Sequence, residues 1–186
     1  MKRNTTDHIP AQHYRLGRAL SRGRGTHAVA TPLLIPMRTV IQRVKNASVS
    51  VDRKTISSIG PGLLVLLGVE PADSQEDIEW LAGKISRLRI FADDSGAMNW
   101  SIHEIDGEFL VVSQFTLFAN TRKGNRPSFL EAASPDLAEK RYEEFCLQLE
   151  RESGRTVGRG IFGARMEISL VNDGPVTIWI DSKKRA

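Results

Sequence analysis

Residues Val111 to Ala119 read Val-Val-Ser-Gln-Phe-Thr-Leu-Phe-Ala, an apolar run broken at its centre by Ser113, Gln114 and Thr116. Its β-branched and aromatic content predicts a strand, with Ser113 and Phe115 on one face and Gln114 and Thr116 on the other. Polar groups at a strand centre need partners, because burying an unpaired amide or hydroxyl costs roughly 1–3 kcal/mol. Either these are satisfied core polars or they form the wall of a site. A second departure is Asn172-Asp173-Gly174-Pro175-Val176-Thr177. These are turn residues, and the plainest reading is a hairpin turn. Yet Pro175 leads straight into a strand pattern while lacking the N–H that a ladder uses. X–Pro bonds are also the common place for a cis peptide, at roughly 5–6% in folded proteins. A rigid Gly-Pro tip could present its backbone carbonyls in a fixed direction.

Conventional catalytic sets find little support. His8, His13 and His27 precede the patterned part of the chain, which leaves His103 as its one imidazole. A Ser-His-Asp triad would have to use His103, and nothing in the spacing puts it beside Ser113. Metal binding lacks a Cys pair, His-x-His or His-Glu-x-x-His, and no cofactor is expected. Cys146 falls on a helical pattern and reads as core filler. Gly60-Pro61-Gly62 is a turn and not a phosphate loop, and Asp93-Asp94-Ser95-Gly96 lacks the later Glu of a calcium loop.

Several elements must position these residues. Arg38 to Val44 alternates as a strand, and Ala47 to Val51 alternates as another that pairs with Ile56 to Ile59 across Asp52-Arg53-Lys54. Leu63 to Val69 is continuously apolar, the pattern of a strand covered on both faces. Ser74 and Asp77 make a capping box with Asp in place of Glu. The helix after them aligns Ile78, Leu81, Ala82, Ile85 and Leu88 in one stripe. Short strands are expected over Arg89–Ala92 and Met98–Ile105, then a central strand over Phe109–Phe118. Asn120 to Phe129 reads as a polar loop carrying Arg122, Lys123 and Arg126. Ser134-Pro135 starts a second helix, with Ala138, Tyr142, Phe145 and Leu149 inward and Gly154 as its cap. Met166–Val171 and Val176–Ile180 complete the strands. The fold class expected is α/β: a mixed, largely antiparallel sheet curled into a partial barrel, with two main helices packed outside.

Length and charge narrow the rest. The 186 residues suit one domain preceded by an extension. Of 26 Lys and Arg, six fall in residues 1–36, with one of the 22 Asp and Glu; the remaining 20 and 21 leave 37–186 near neutral. A basic pI therefore belongs to the extension, and a global charge case for nucleic-acid binding fails. Residues 1–36 show no sustained apolar period and read as a disordered basic extension. It is a targeting segment, a start assigned too early, or a tail adding non-specific RNA affinity. One cysteine fits a reducing compartment, read here as the cytoplasm, and the longest apolar run is far too short to span a membrane.

Taken together, Met37-Arg38 followed by Val-Ile-Gln-Arg-Val, Gly60-Pro-Gly-Leu-Leu-Val, Ser113-Gln-Phe-Thr-Leu, Arg122-Lys-Gly with Arg126-Pro-Ser-Phe, and Ser169-Leu-Val-Asn-Asp-Gly-Pro-Val-Thr resemble the D-aminoacyl-tRNA deacylase family. The resemblance covers essentially all of 37–186 and leaves 1–36 outside. A sister family carries Pro-Gln-Ala-Thr at the first signature, and Ser113-Gln114-Phe115-Thr116 argues against it.

The resemblance implies hydrolysis of the ester between a D-amino acid, or glycine, and the tRNA 3′ adenosine. It implies a homodimer with active sites at the subunit interface, in which a Gly-cis-Pro of one subunit enters the other's pocket. Gly174 and Pro175 would then point carbonyl oxygens at the substrate's α-carbon, where an L side chain collides and a D side chain does not. Arg43 would fix that loop, Thr177 would hold the loop or the ammonium, and Ser113 would line the pocket. Backbone amides of Gln114 and Phe115 would polarise the carbonyl. Thr116 is the nearest hydroxyl, and the 2′-hydroxyl of the tRNA would supply the missing base. Arg122, Lys123 and Arg126 would contact phosphate, against the alternative of a solvated loop. The rival readings are a non-catalytic tRNA-binding module, which would need stacking aromatics or a broad basic face, and a generic esterase.

Overall fold

A computed structural model describes residues 37–184, and the basic extension expected over 1–36 lies outside them. The first described element is β1, Arg38–Val51, a single 14-residue strand where the alternation suggested two. The positive φ of Asp52 and Arg53 (49° and 63°) turns it back into β2, Lys54–Ile59, in the expected antiparallel hairpin with Ala47 opposite Ile59. β3, Gly62–Gly68, then lies antiparallel to the first half of β1. The entry is tight, since a Cβ on Gly62 would overlap the backbone of Glu108. α1, Gln75–Ser86, begins in the capping box read from the sequence. Ser74 accepts from the Asp77 N–H, and the Asp77 carboxylate accepts from the Ser74 N–H at 2.9 Å. Asp serves here because the box needs only a carboxylate within reach of the cap.

β4, Phe91–Ala92, and β5, Met98–Trp100, form a two-stranded flap. Both are shorter than expected; β5 stops at Trp100 because residues 102–106 are taken up by turns. β6, Glu108–Ser113, runs parallel to β3. α2, Pro135–Ser153, has Pro in its first turn and Gly154 in the left-handed conformation (φ 65°) at its end, although the Ser134 side chain makes no capping bond. β7, Val157–Arg159, joins β6 in parallel. No periodicity in the sequence marked this three-residue strand. β8, Glu167–Asp181, closes the chain along β1. The sheet order is β2-β1-β3-β6-β7, with β8 on β1.

Burial explains the continuous apolar run of β3. Leu63, Val65 and Leu67 face the two helices with Phe109 and Val111 of β6, against Ile78, Leu81, Ile85, Tyr142, Phe145 and Leu149. Leu64, Leu110 and Val112 point the other way, into the curl of the sheet, against Val44, Val49 and Ile59. Each such side chain contributes on the order of 1.5–3 kcal/mol by leaving water. α1 and α2 pack on each other outside the sheet, and Tyr142 donates to the Val111 carbonyl at 2.9 Å. Cys146 is fully buried on α2, and burial pushes its thiol up to about 12. The sheet curls until a Cβ on Gly158 of β7 would lie 2.5 Å from Ser57 Oγ of β2. No ladder joins those strands among the described residues, so the α/β partial barrel keeps an open seam.

Candidate active site

At Ser113, opposite Leu67, the chain leaves the sheet. Gln114 (φ −144°, ψ 77°) breaks the alternation, and Phe115–Phe118 winds into a 3-10 turn. The strand expected over Phe109–Phe118 thus stops at Ser113, and the two-face division of Ser113 to Thr116 does not hold. The reason lies in β3. It ends at Gly68, where a Cβ would sit 2.9 Å from Phe118 Cε2 and 3.0 Å from the Gln114 carbonyl oxygen. The turn seats on that bare backbone. Arg38 holds it there, donating to the Leu117 carbonyl at 3.1 Å with its guanidinium 4.7 Å above the buried Phe118 ring.

The turn fixes which groups can meet a substrate. The Gln114 N–H donates to the Leu67 carbonyl at 2.7 Å, and a donor so engaged cannot also hold an oxyanion. That engagement does not suit the backbone role expected of Gln114. Phe115 and Thr116 begin the turn, and the first N–H groups of a helical turn have no partner inside it. The Gln114 carboxamide donates to the Thr116 hydroxyl. Phe115 is exposed at 58% and meets Phe129 edge-on, with ring centroids 5.1 Å apart. Ser113 is half-buried at the foot of the turn.

The second segment is a bulge. β8 does not reverse at Asn172–Thr177, as a hairpin turn would; both of its halves follow β1 in one direction. Asn172 pairs with Val44 and Thr177 with Gln42, so Asp173 to Val176 stand opposite Arg43 alone. Pro175 costs the ladder nothing there, because bulged residues make no ladder bond. The Gly174–Pro175 peptide is cis, and both residues are exposed. Arg43 grips the bulge from β1. Its Nε donates to the Asp173 carbonyl at 2.9 Å and lies 3.0 Å from the Asp173 carboxylate, while its Nη1 donates to the Ile90 carbonyl. Thr177 accepts from Gln42 Nε2 at 3.3 Å.

The basic loop folds on itself, with Asn120 and Ser128 exchanging backbone bonds of 2.8 and 3.0 Å. Arg122, Lys123 and Arg126 line a cavity of about 280 Å³ with Asn120 and Ser128. All three cations are exposed.

Behind the turn lies a buried acidic group. The Asp181 carboxylate is 3.8 Å from Arg38 Nε. Ser182 donates to Asp77 at 3.0 Å and accepts from the Met37 N–H at 3.1 Å, and Lys183 pairs with Asp77. Asp73 accepts from the Glu70 N–H at 2.8 Å. Burial pushes Glu70 and Asp73 up to about 7. Burial acts on Asp77 in the same sense, but hydrogen bonds from Lys183, Ser74 and Ser182 outweigh it and hold the carboxyl at about 2.

No hydrogen bond or ring contact of the described residues joins Ser113–Thr116 to Gly174–Pro175. Arg38 reaches one and Arg43 the other, and five residues of strand put those anchors on the order of 16 Å apart. The basic loop joins the first segment through Phe129. Sequence reasoning missed Arg38, Gly68, Phe129 and Asn172 as parts of the site. For Arg38, Phe129 and Asn172 the signal available was their place inside the motifs that carry the resemblance; Gly68 lies outside those motifs and had no signal of its own. Among the described residues no group of three or more His, Cys, Asp or Glu is placed to hold a metal ion, and no helix is long and apolar enough to cross a membrane.

The family model described as D-Tyr-tRNA(Tyr) deacylase matches residues 40–181. Over 149 residues, the D-aminoacyl-tRNA deacylase of Flavobacterium johnsoniae is 56% identical, covering 80% of this chain and 99% of that one. The enzyme of the same name from Opitutus terrae is 59% identical with the same coverage. The solved structure titled c-Myc DNA Unwinding Element Binding Protein superposes with a TM-score of 0.72 at 42% identity, over 77% of this chain and 97% of its own.

Proposed function

The chain belongs to the D-aminoacyl-tRNA deacylase family and is a hydrolase of the aminoacyl-tRNA ester bond, and from that premise we propose how its two segments divide the work. The 3-10 turn binds the reacting ester. The N–H groups of Phe115 and Thr116 receive the carbonyl oxygen as it gains charge, which is the position where preorganised donors lower a barrier most. Ser113 lines the pocket, and the Phe115–Phe129 pair gives the 3′ end an apolar wall. Arg122, Lys123 and Arg126 take phosphate.

The Gly174–Pro175 tip supplies selection, and it does so from a second subunit. The observation that carries this reading is the four-residue bulge. Its Gly174–Pro175 tip is exposed, Arg43 grips its root, and no hydrogen bond or ring contact ties that tip to the turn of its own chain. In a homodimer the tip would complete the partner's pocket and set carbonyl oxygens against the substrate's α-carbon. An L side chain would strike them; a D side chain, or the hydrogen of glycine on glycyl-tRNA, would not. The outer edge of β8, which pairs only with β1 among the described residues, and its exposed Val171 and Trp179 (48% and 53%) offer the surface for such a dimer.

The water that attacks needs a base, and the exposed His103 is placed on neither segment. We assign that role to the 2′-hydroxyl of the terminal ribose, with the protein supplying position and polarisation. The full chain is expected to release D-tyrosine from charged tRNA and leave L-tyrosyl-tRNA intact. It should stall on a D-tyrosyl-tRNA ending in 2′-deoxyadenosine, and sedimentation should give twice the chain mass. Undiminished turnover of the deoxy substrate would remove the 2′-hydroxyl from the mechanism. Equal turnover of the two enantiomers would remove the selective tip.

A further inference from the structure

Asn172 is the last residue of β8 to pair before the bulge, and its side chain turns back over the neck. Nδ2 donates to the Arg43 carbonyl at 3.1 Å and to the Val176 carbonyl at 3.2 Å. Each acceptor matters for where it stands. Arg43 is the β1 residue that faces the bulge and so has no β8 partner in the register. Val176 is the last residue of the bulge, just before pairing resumes at Thr177. One carboxamide nitrogen therefore ties the near side of the bulge, the far side and the neighbouring strand together, using both of its N–H groups.

The other end of the same side chain bears on the tip. A Cβ built on Gly174 would overlap Asn172 Oδ1, as well as the Val176 N–H nitrogen. The carboxamide thus occupies the space that glycine leaves open, and the backbone of Gly174 lies directly on it. Arg43 completes the arrangement, since its side chain holds Asp173 while its carbonyl receives Asn172.

We propose that Asn172 is a positioning residue for enantiomer selection: it closes the neck of the bulge and so sets the direction in which the Gly174 and Pro175 carbonyls face. It touches no reacting atom. The inference rests on the reading above that this tip excludes L side chains. Few side chains could replace it. Aspartate has the same shape but no donor at neutral pH, and it would set a carboxylate against two carbonyl oxygens. Serine keeps one donor and cannot span both acceptors.

The test compares kcat/KM for D-tyrosyl- and L-tyrosyl-tRNA in the full-length protein, its Asn172→Asp and Asn172→Ser variants, and a tip variant, Pro175→Ala. Asn172→Asp is expected to lower the D-to-L ratio about tenfold, which is ~1.4 kcal/mol of discrimination, with Asn172→Ser in between. Two results would overturn the inference while leaving the tip reading intact. In one, the ratio holds in both Asn172 variants while Pro175→Ala lowers it. In the other, D and L turnover fall by the same factor, as a merely structural residue would give. A ratio unmoved by Pro175→Ala and by Asn172→Asp alike would overturn the tip reading and this inference together.

Discussion

Thr116 has the only side-chain hydroxyl on the 3-10 turn, yet its oxygen is already an acceptor for the Gln114 carboxamide. No imidazole or carboxylate bonds it, so nothing nearby would draw off its proton to make a nucleophile. Thr116→Ala is expected to keep activity within about tenfold of the parent, a loss of ~1.4 kcal/mol or less in transition-state binding; a folded but wholly inactive variant in a single-turnover assay would instead argue for a covalent intermediate. At this scale the sequence disclosed residue types and little direction. Ser113-Gln114-Phe115-Thr116 and Gly174-Pro175 stood out because polar groups and a proline interrupted strand patterns. Which amide of Gln114 and Phe115 stays available could not be read. That depends on the Gln114 N–H meeting Leu67, a residue 47 positions earlier, through a backbone bond indifferent to side-chain type.

Among the elements, the 3-10 turn is where local preference and tertiary demand disagree. Phe-Thr-Leu-Phe has good strand residues, and the pattern alone extends β6 through them. The outcome is decided by Gly68 on another strand, because only bare backbone lets Phe118 and the Gln114 carbonyl close over the end of β3. Gly68→Ala should therefore displace the turn while sparing the two hydrophobic layers. Expected is a loss of activity of tenfold or more, with a stability cost of about 1–3 kcal/mol as for other overpacked sites; an unchanged kcat in a variant of unchanged Tm would show that the turn does not depend on that seat. β3 was legible because its burial on both faces leaves a continuous apolar run. The capping box of α1 was legible because caps are local. β7 was not, since three residues cannot show a period, and the bulge of β8 was mistaken for a turn because the residues that suit the two are the same.

Over the whole molecule, the buried acids set the response to pH. Glu70 and Asp73 titrate near 7 in the folded protein against ordinary values of 4.5 and 3.8. The folded state therefore binds more protons than the unfolded state across that interval, and stability falls as pH rises from about 4 to about 7, then levels. Asp77, held at about 2 against 3.8, works the other way and gives up its contribution only as pH drops below 4. A Tm lower at pH 8 than at pH 5.5, by on the order of 5 °C, is expected in a thermal melt, with Glu70→Gln flattening the slope. A melt independent of pH over that range would contradict the assignment. The two-layer architecture was legible at this scale, since amphipathic helices and a doubly apolar strand leave few ways to pack. The sharing of a site between copies was implied by resemblance alone, because no single-chain pattern shows what an exposed strand edge meets. Cys146 carries a separate consequence. It is the one thiol in the sequence, fully buried, and its high pKa leaves almost no thiolate near neutrality. The native protein should ignore alkylating reagents, and every label incorporated marks a molecule that has opened its core, so the chain contains its own unfolding clock.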